Sequence, residues 1–388
     1  MTWITSWAGT AIHTVSIVCF LALAGRLLGR IRIGGVSLGM AGVLAVAVAY
    51  GAFFGRCPVW RLDETTLTFF DDSVRTQLSF LSSLGSAFFL SAVGVSAGRG
   101  AAVSSLRKKV CWASIGALMT AAGGVTAAAI CLLDTSMSSS KGLGLLTGAL
   151  TSTPGLAAIQ ELPSADAEAA VAGYGISYLF GVAAVVLLVQ VWLRRNTNMP
   201  KPSASNPKPS PVQEGKATDA GLFHLLFVML LGTALGALKL PFPQLSLGSS
   251  GGILIVGLLS GRSAPLRQIP SETLALFRTL GLTLFLIGTG LPAGIRFEEN
   301  FRPKDACYGA AITLTALATG YLLSRHLSGR GWEQAACLVC GGMTSTPALG
   351  AVTDRLDGEP DLSAYTVAYT SAMLSLVLLV KVLFWLLS

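Results

Sequence analysis

GLLTGALTSTPGLAAIQE, residues 144–161, is a glycine-rich apolar stretch broken at its centre by Thr151-Ser152-Thr153-Pro154. AACLVCGGMTSTPALGAVTD, residues 335–354, carries the same tetrapeptide at Thr344-Ser345-Thr346-Pro347. A polar, proline-containing break in an oily chain is not lipid-facing backbone, because the N–H and C=O groups it frees need protein or water as partners. Unwound segments at corresponding places in two halves are the sequence mark of a carrier's binding site.

Composition fixes the class. Of the 388 residues, 52% are hydrophobic and 12% charged, with a mean hydropathy of +0.67. An ordinary soluble chain is about 25% charged. Apolar runs of about 20 residues alternate with short polar loops, as bilayer-spanning helices require. The chain is therefore a polytopic membrane protein, expected to be all-α. Its net charge of +8 reflects loop placement rather than a nucleic-acid partner. The first apolar run lacks the basic n-region of a cleaved signal; its charges, Arg26, Arg30 and Arg32, follow it. That order places the N-terminus outside.

Twelve apolar segments divide into two halves, residues 1–195 and 221–388, joined by a Pro-, Ser- and Lys-rich stretch at 196–220 that reads as a cytoplasmic linker. The halves are repeats. Leu38-Gly39-x-x-Gly42 matches Leu247-Gly248-x-x-Gly251, and Phe89-Leu90-x-x-x-Gly94-x-x-x-Gly98 matches Phe285-Leu286-x-x-x-Gly290-x-x-x-Gly294. The TSTP elements match next, and then Tyr174-x-x-x-Tyr178 matches Tyr365-x-x-x-Tyr369. If all twelve segments span, Lys and Arg divide evenly between the two sides. If the TSTP segments instead enter and leave on one side, the inside loops hold roughly twice the Lys and Arg of the outside loops, as the positive-inside rule demands. Arg278 and Lys381 then fall within spans. Five spans per half is odd, so the second half is inverted and both termini lie outside. The expected fold is two inverted repeats, each of five transmembrane helices and one re-entrant helical hairpin, with the hairpin tips meeting near the midplane.

The tips carry a readable chemistry. Thr153 before Pro154, and Thr346 before Pro347, read as N-cap followed by the first helical residue. Leu156 and Leu349 occupy the place where Glu or Gln would close a capping box. Free amide groups and the positive helix end then face the tip, with hydroxyls from Thr151, Ser152, Thr344 and Ser345 beside them. Together with Gly155 and Ala348, these residues are expected to bind a small anion such as a carboxylate. The bland alternative is a proline-kinked helix pair whose Ser and Thr satisfy the broken backbone. Tyr174, Tyr178, Tyr365 and Tyr369 either line the substrate path or belong to an interfacial aromatic belt.

The paired TSTP elements, the Phe-Leu-x-x-x-Gly-x-x-x-Gly helices and the following tyrosine pairs resemble the aspartate:alanine exchanger family of bacterial small-carboxylate and amino-acid antiporters and permeases. The resemblance covers both halves. It implies a homodimeric secondary transporter of small anionic or zwitterionic substrates in a bacterial inner membrane, with an elevator-like core moving against a scaffold. Many relatives place two soluble regulatory domains between the halves; this chain has only the short linker there.

Other residues carry less. No mid-helix Asp or Glu offers a proton relay, which favours exchange over proton coupling. A sodium-coupled carboxylate symporter and an anion channel are the alternatives. Glu161 and Asp354, each seven residues beyond its TSTP proline, are expected to reach loop water, and Lys381 to snorkel outward from the last helix. His13 and His224 suit structural roles, and Gly25 and Gly29 suit helix packing. Cys337 and Cys340 read as core filler, since no second pair or His stands near them. No cofactor is expected, no metal-ligand set is readable, and no catalytic motif is present.

Overall fold

The computed structural model describes residues 11–33, 36–37, 39–55, 59–62, 65–68, 72–100, 106–195, 219–238, 248–327, 332–345, 348–349, 352 and 362–388. The first half contains α1 (Ala11–Gly29), β1 (Arg32–Ile33), β2 (Val36–Ser37), α2 (Ala41–Phe54), β3 (Val59–Leu62) and β4 (Thr65–Thr68). It continues with α3 (Asp72–Gly100), α4 (Leu106–Leu133), α5 (Ser139–Ala149), α6 (Thr153–Gln160) and α7 (Ala167–Arg195). The second half contains α8 (Asp219–Gly236), α9 (Gly248–Ser260), α10 (Ala264–Arg267), α11 (Ser271–Ile295) and α12 (Phe297–Asn300). It ends with α13 (Pro303–Leu327), α14 (Trp332–Gly342) and α15 (Ser363–Leu387). Helix dominates as expected. The departures are the antiparallel pairs β1–β2 and β3–β4, which decorate loops of the first half. Helix α8 begins inside the stretch read as linker, and residues 196–218 and Asp354 lie outside the described residues.

Six helices, α3, α4, α7, α11, α13 and α15, are long and apolar enough to cross a membrane. The multi-pass character therefore holds, but ten full spans do not follow from length. Helices α2 and α9, of 14 and 13 residues, rise only about 20 Å. A hydrocarbon core is about 30 Å thick. Both short helices start at a glycine with positive φ, Gly39 at +52° and Gly248 at +68°. That backbone conformation is glycine's own.

The two halves touch through equivalent residues, reciprocally. Helix α3 crosses α11 where both offer a glycine. A Cβ on Gly85 would stand 2.6 Å from the Gly281 carbonyl oxygen, and one on Gly281 would stand 2.5 Å from that of Gly85. Two turns beyond the crossing on α11, Gly288 meets Leu78 and Ser82, so the two helices run antiparallel. Along the same helices, Gly94 and Gly98 admit α9, whereas Gly290 and Gly294 admit α2. Small residues allow such backbone approach where hydrophobic burial gives no drive to association. One repeat match shifts by a residue. Gly42 abuts Gly25 and Gly29 as Gly252, rather than Gly251, abuts Gly232 and Gly236.

The ends of the bundle are tied by polar contacts. At one end Arg296 joins Asp166, Glu168 and Glu299, and Arg75 joins Glu168. The Lys304 ammonium, with the Ser136 hydroxyl beside it, holds the Asp134 carboxyl well below the usual carboxylate range. Exposed pairs of this kind add little stability, but they fix which helix ends lie together. At the other end the Arg99 guanidinium donates to the Leu266 and Ile269 carbonyls. One ion pair is deeply buried. Lys141 on α5 meets Asp305 on α13, with side chains 6% and 0% exposed. Asp305 sits only two residues into its helix, not at mid-helix.

Candidate functional site

Helices α5 and α7 run parallel, Gly144 against Ala170 and Gly148 against Tyr174. The Ser140 hydroxyl accepts from the Asp166 amide at 3.0 Å, so the chain returns beside its starting point after α6. Each TSTP break is built the same way. The Thr151 amide donates to the Gly148 carbonyl and the Ser152 amide to the Thr147 carbonyl. In the second half Thr344 donates to Gly341 and Ser345 to Cys340. This is the Schellman closure, which normally places glycine at the left-handed position. Here threonine stands there, with φ of 54° at Thr151 and 48° at Thr344, the two positive-φ non-glycine residues among those described. For a β-branched residue that conformation costs about 1–2 kcal/mol.

The compensation comes from the opposite half. Thr151 Oγ1 donates to the Met343 carbonyl at 2.6 Å, and Thr344 Oγ1 donates to the Leu150 carbonyl at 2.8 Å. The tips are joined by this exchanged pair. Thr151→Val with Thr344→Val keeps side-chain shape and leaves two carbonyls unpaired. We expect destabilisation of about 1–3 kcal/mol per site, seen as a lower melting temperature in detergent. Serine at both sites retains the hydroxyls and should preserve most of the stability.

The closure also relocates the helix start. Ser152 leaves the left-handed threonine extended, at φ −100° and ψ 97°, and its Oγ accepts from the Gly155 amide. Ser345 Oγ accepts from the Ala348 amide in the same way. In the first half the N-cap is therefore Ser152, not Thr153, and Gly155 takes the third helical position. Ser152 both closes one helix and caps the next. Thr153, freed from capping, meets the Tyr174 hydroxyl at 3.1 Å.

A cavity of about 290 Å³ lies against the tips. Thr151, Thr153 and Pro154 reach it from the first half, and Thr344 from the second. Tyr178 and Tyr369, one from each tyrosine pair, complete that side. Ala275, Arg278, Thr279 and Leu282, one face of α11, form a further wall with Phe89 and Val182. Gly39 and Met40 bring the start of α2 to the same space. No side chain caps α2, so its positive end is not neutralised by a capping group. Arg278 contributes a positive charge to the same wall. Among the described lining residues none is acidic. The volume stands at the small end of ligand pockets, and its potential is positive.

Of the residues read from the sequence, the structure brings Thr151, Thr153, Pro154, Thr344, Tyr178 and Tyr369 together at this cavity. Ser152, Gly155, Ser345 and Ala348 are buried behind it as turn and packing residues. Tyr174 packs tilted against Tyr178 at 5.2 Å, and Tyr365 against Tyr369 at 5.4 Å, one layer back. Thr346 and Pro347 lie outside the described residues. Arg278 is the main residue the sequence reading missed. Its signal was a lone arginine inside an apolar helix, which burial in lipid makes costly unless it faces a cavity. Among the described residues no three His, Cys, Asp or Glu converge to hold a metal ion.

Two further expectations are corrected. Lys381 does not snorkel; it is 3% exposed and meets Glu161 at 3.3 Å. Glu161 turns inward rather than to loop water, accepting from the Ser249 hydroxyl and, at 2.6 Å, from the Ser250 amide.

Comparison with known proteins agrees with this architecture. Residues 17–194 and 224–385 match a family model described as a predicted permease membrane region. An uncharacterized transporter of Rhodopirellula baltica is 35% identical over 164 residues, 40% of this chain and 31% of the relative. Uncharacterized transporters of Bacteroides fragilis and Corynebacterium efficiens are 32% and 30% identical, over 43% and 44% of this chain and 34% of each relative. Each match spans about a third of the relative's length. With both halves matched by one model, the chain belongs to the aspartate:alanine exchanger family of predicted membrane permeases.

Proposed function

We propose that the protein is a secondary transporter that exchanges small carboxylates or carboxylate-bearing amino acids across a bacterial inner membrane by alternating access. The observation that carries the reading is the cavity in which both helix breaks, Arg278 and the start of α2 meet. Arg278 supplies the counter-charge for a carboxylate, and a guanidinium can engage both carboxylate oxygens at once. The α2 start offers its dipole to the same group. Threonine and tyrosine hydroxyls read the remainder of the ligand. The halves insert as inverted repeats, α5–α6 and α14 with the segment after it forming re-entrant hairpins. Both termini lie outside, and the protein works as a homodimer with an elevator-like core. The antiparallel, reciprocal contacts of α3 with α11 support that topology.

Counterflow in proteoliposomes tests the function. Vesicles preloaded with one carboxylate or amino acid from a panel should accumulate labelled external substrate, and empty vesicles should not. Sodium-dependent uptake into empty vesicles would replace exchange by symport, and non-saturating flux would replace it by a channel.

A further inference from the structure

The buried polar cluster around Glu161 stands apart from the cavity and has no role in the function proposed above. Its floor is the start of α9, the second-half equivalent of the α2 start that lines the cavity. Gly248 and Gly39, both with positive φ, mark the equivalence. At α2 that start opens on the cavity. At α9 a carboxylate occupies it. Glu161 takes the Ser250 amide at 2.6 Å, the Ser249 hydroxyl, and the Lys381 ammonium at 3.3 Å. A Cβ on Gly248 would collide with the Glu161 carboxylate and the Lys381 ammonium, so glycine leaves room for this pair. The Ser250 hydroxyl is 1% exposed and has no hydrogen-bond partner among the described residues. It is a spare donor beside a carboxylate whose second oxygen is held by lysine alone among the contacts described.

We propose that Ser249, Ser250 and Lys381 form a second carboxylate subsite, which the Glu161 side chain fills as a tethered stand-in and a substrate carboxylate fills when Glu161 withdraws. The proposal rests on the carboxylate reading of the cavity, and it supplies that reading with a counterpart site in the other half. The chemistry is the same at both: a helix start with a positive side chain, Arg278 in one case and Lys381 in the other. Lys381 is 3% exposed, and a buried ammonium favours an anion beside it, whether that anion is Glu161 or a ligand carboxylate. A tethered group competes at high effective concentration. If Glu161 holds the subsite about nine-tenths of the time, its removal raises apparent affinity for an added carboxylate roughly tenfold.

Equilibrium binding of labelled succinate to the purified full-length protein tests this without a transport assay. Arg278→Met first weakens the cavity site. In that background Glu161→Gln is expected to restore succinate binding about tenfold, and adding Lys381→Met to remove it again. Glu161→Asp, too short to reach the Ser250 amide, should act as Glu161→Gln does and serves if the glutamine variant does not fold. Unchanged binding on release of Glu161, or a gain indifferent to Lys381, would reduce the cluster to a structural clasp and overturn the proposal. Failure of Arg278→Met itself to weaken binding would instead count against the cavity, so the two readings fail separately.

Discussion

Arg278→Met is expected to raise the half-saturation concentration for a transported carboxylate by about 30- to 150-fold. The estimate takes about 2–3 kcal/mol for a charge-assisted hydrogen bond lost from a partly dehydrated site. Methionine matches much of the side chain's length and apolar bulk, so the loss isolates the charge. Arg278 is only partly buried, and removing a charge from an apolar helix does not threaten folding. Arg278→Lys should recover part of the affinity, because it keeps the charge and loses the planar fork. The measurement is substrate dependence of counterflow, with direct binding of the same ligand as a second readout. A half-saturation unchanged in the methionine variant would remove Arg278 from the site.

Gly281→Val is expected to abolish recovery of monodisperse protein, or to lower its melting temperature by about 5–10 °C if recovered. The added Cβ would lie 2.5 Å from the Gly85 carbonyl oxygen and from the Phe89 amide nitrogen. Both are backbone atoms of a helix that is itself pinned by α9, so no rotamer change relieves the contact. Overpacking of a rigid interior costs about 1–3 kcal/mol and more where backbone must shift, and α3–α11 is the main seam between the halves. Gly175→Ala is the control. Its Cβ would meet only the Leu44 side chain at 3.7 Å, and alanine is the better helix former by about 1 kcal/mol. Size-exclusion profiles and thermal melts of the two variants separate local packing from a general intolerance of substitution.

Much of this was legible in residue patterns. The order of apolar runs and the paired TSTP breaks located the helix pairs, because a proline-containing polar break leaves few places for the chain to go. Glycine spacing in Phe-Leu-x-x-x-Gly-x-x-x-Gly marked the helices that carry the central seam. The N-cap was misplaced by one residue. Proline suggested Thr153 as the cap, but left-handed Thr151 uses up the preceding turn and hands the cap to Ser152. Nothing in a threonine announces positive φ, since its compensation lies 192 residues away in the other half. Buried charges were hidden for the same reason. Lys381 and Glu161 are 220 residues apart and become partners only in the folded chain. Short helices such as α2 were read as full spans because their apolar runs continue into flanking segments that do not prolong the helix.

The exchanged threonine bonds set an order in which the chain can mature. Each half holds one strained residue whose relief is a carbonyl of the other half. Neither half can finish its own turn, so the tip made first during synthesis waits for the second before it closes.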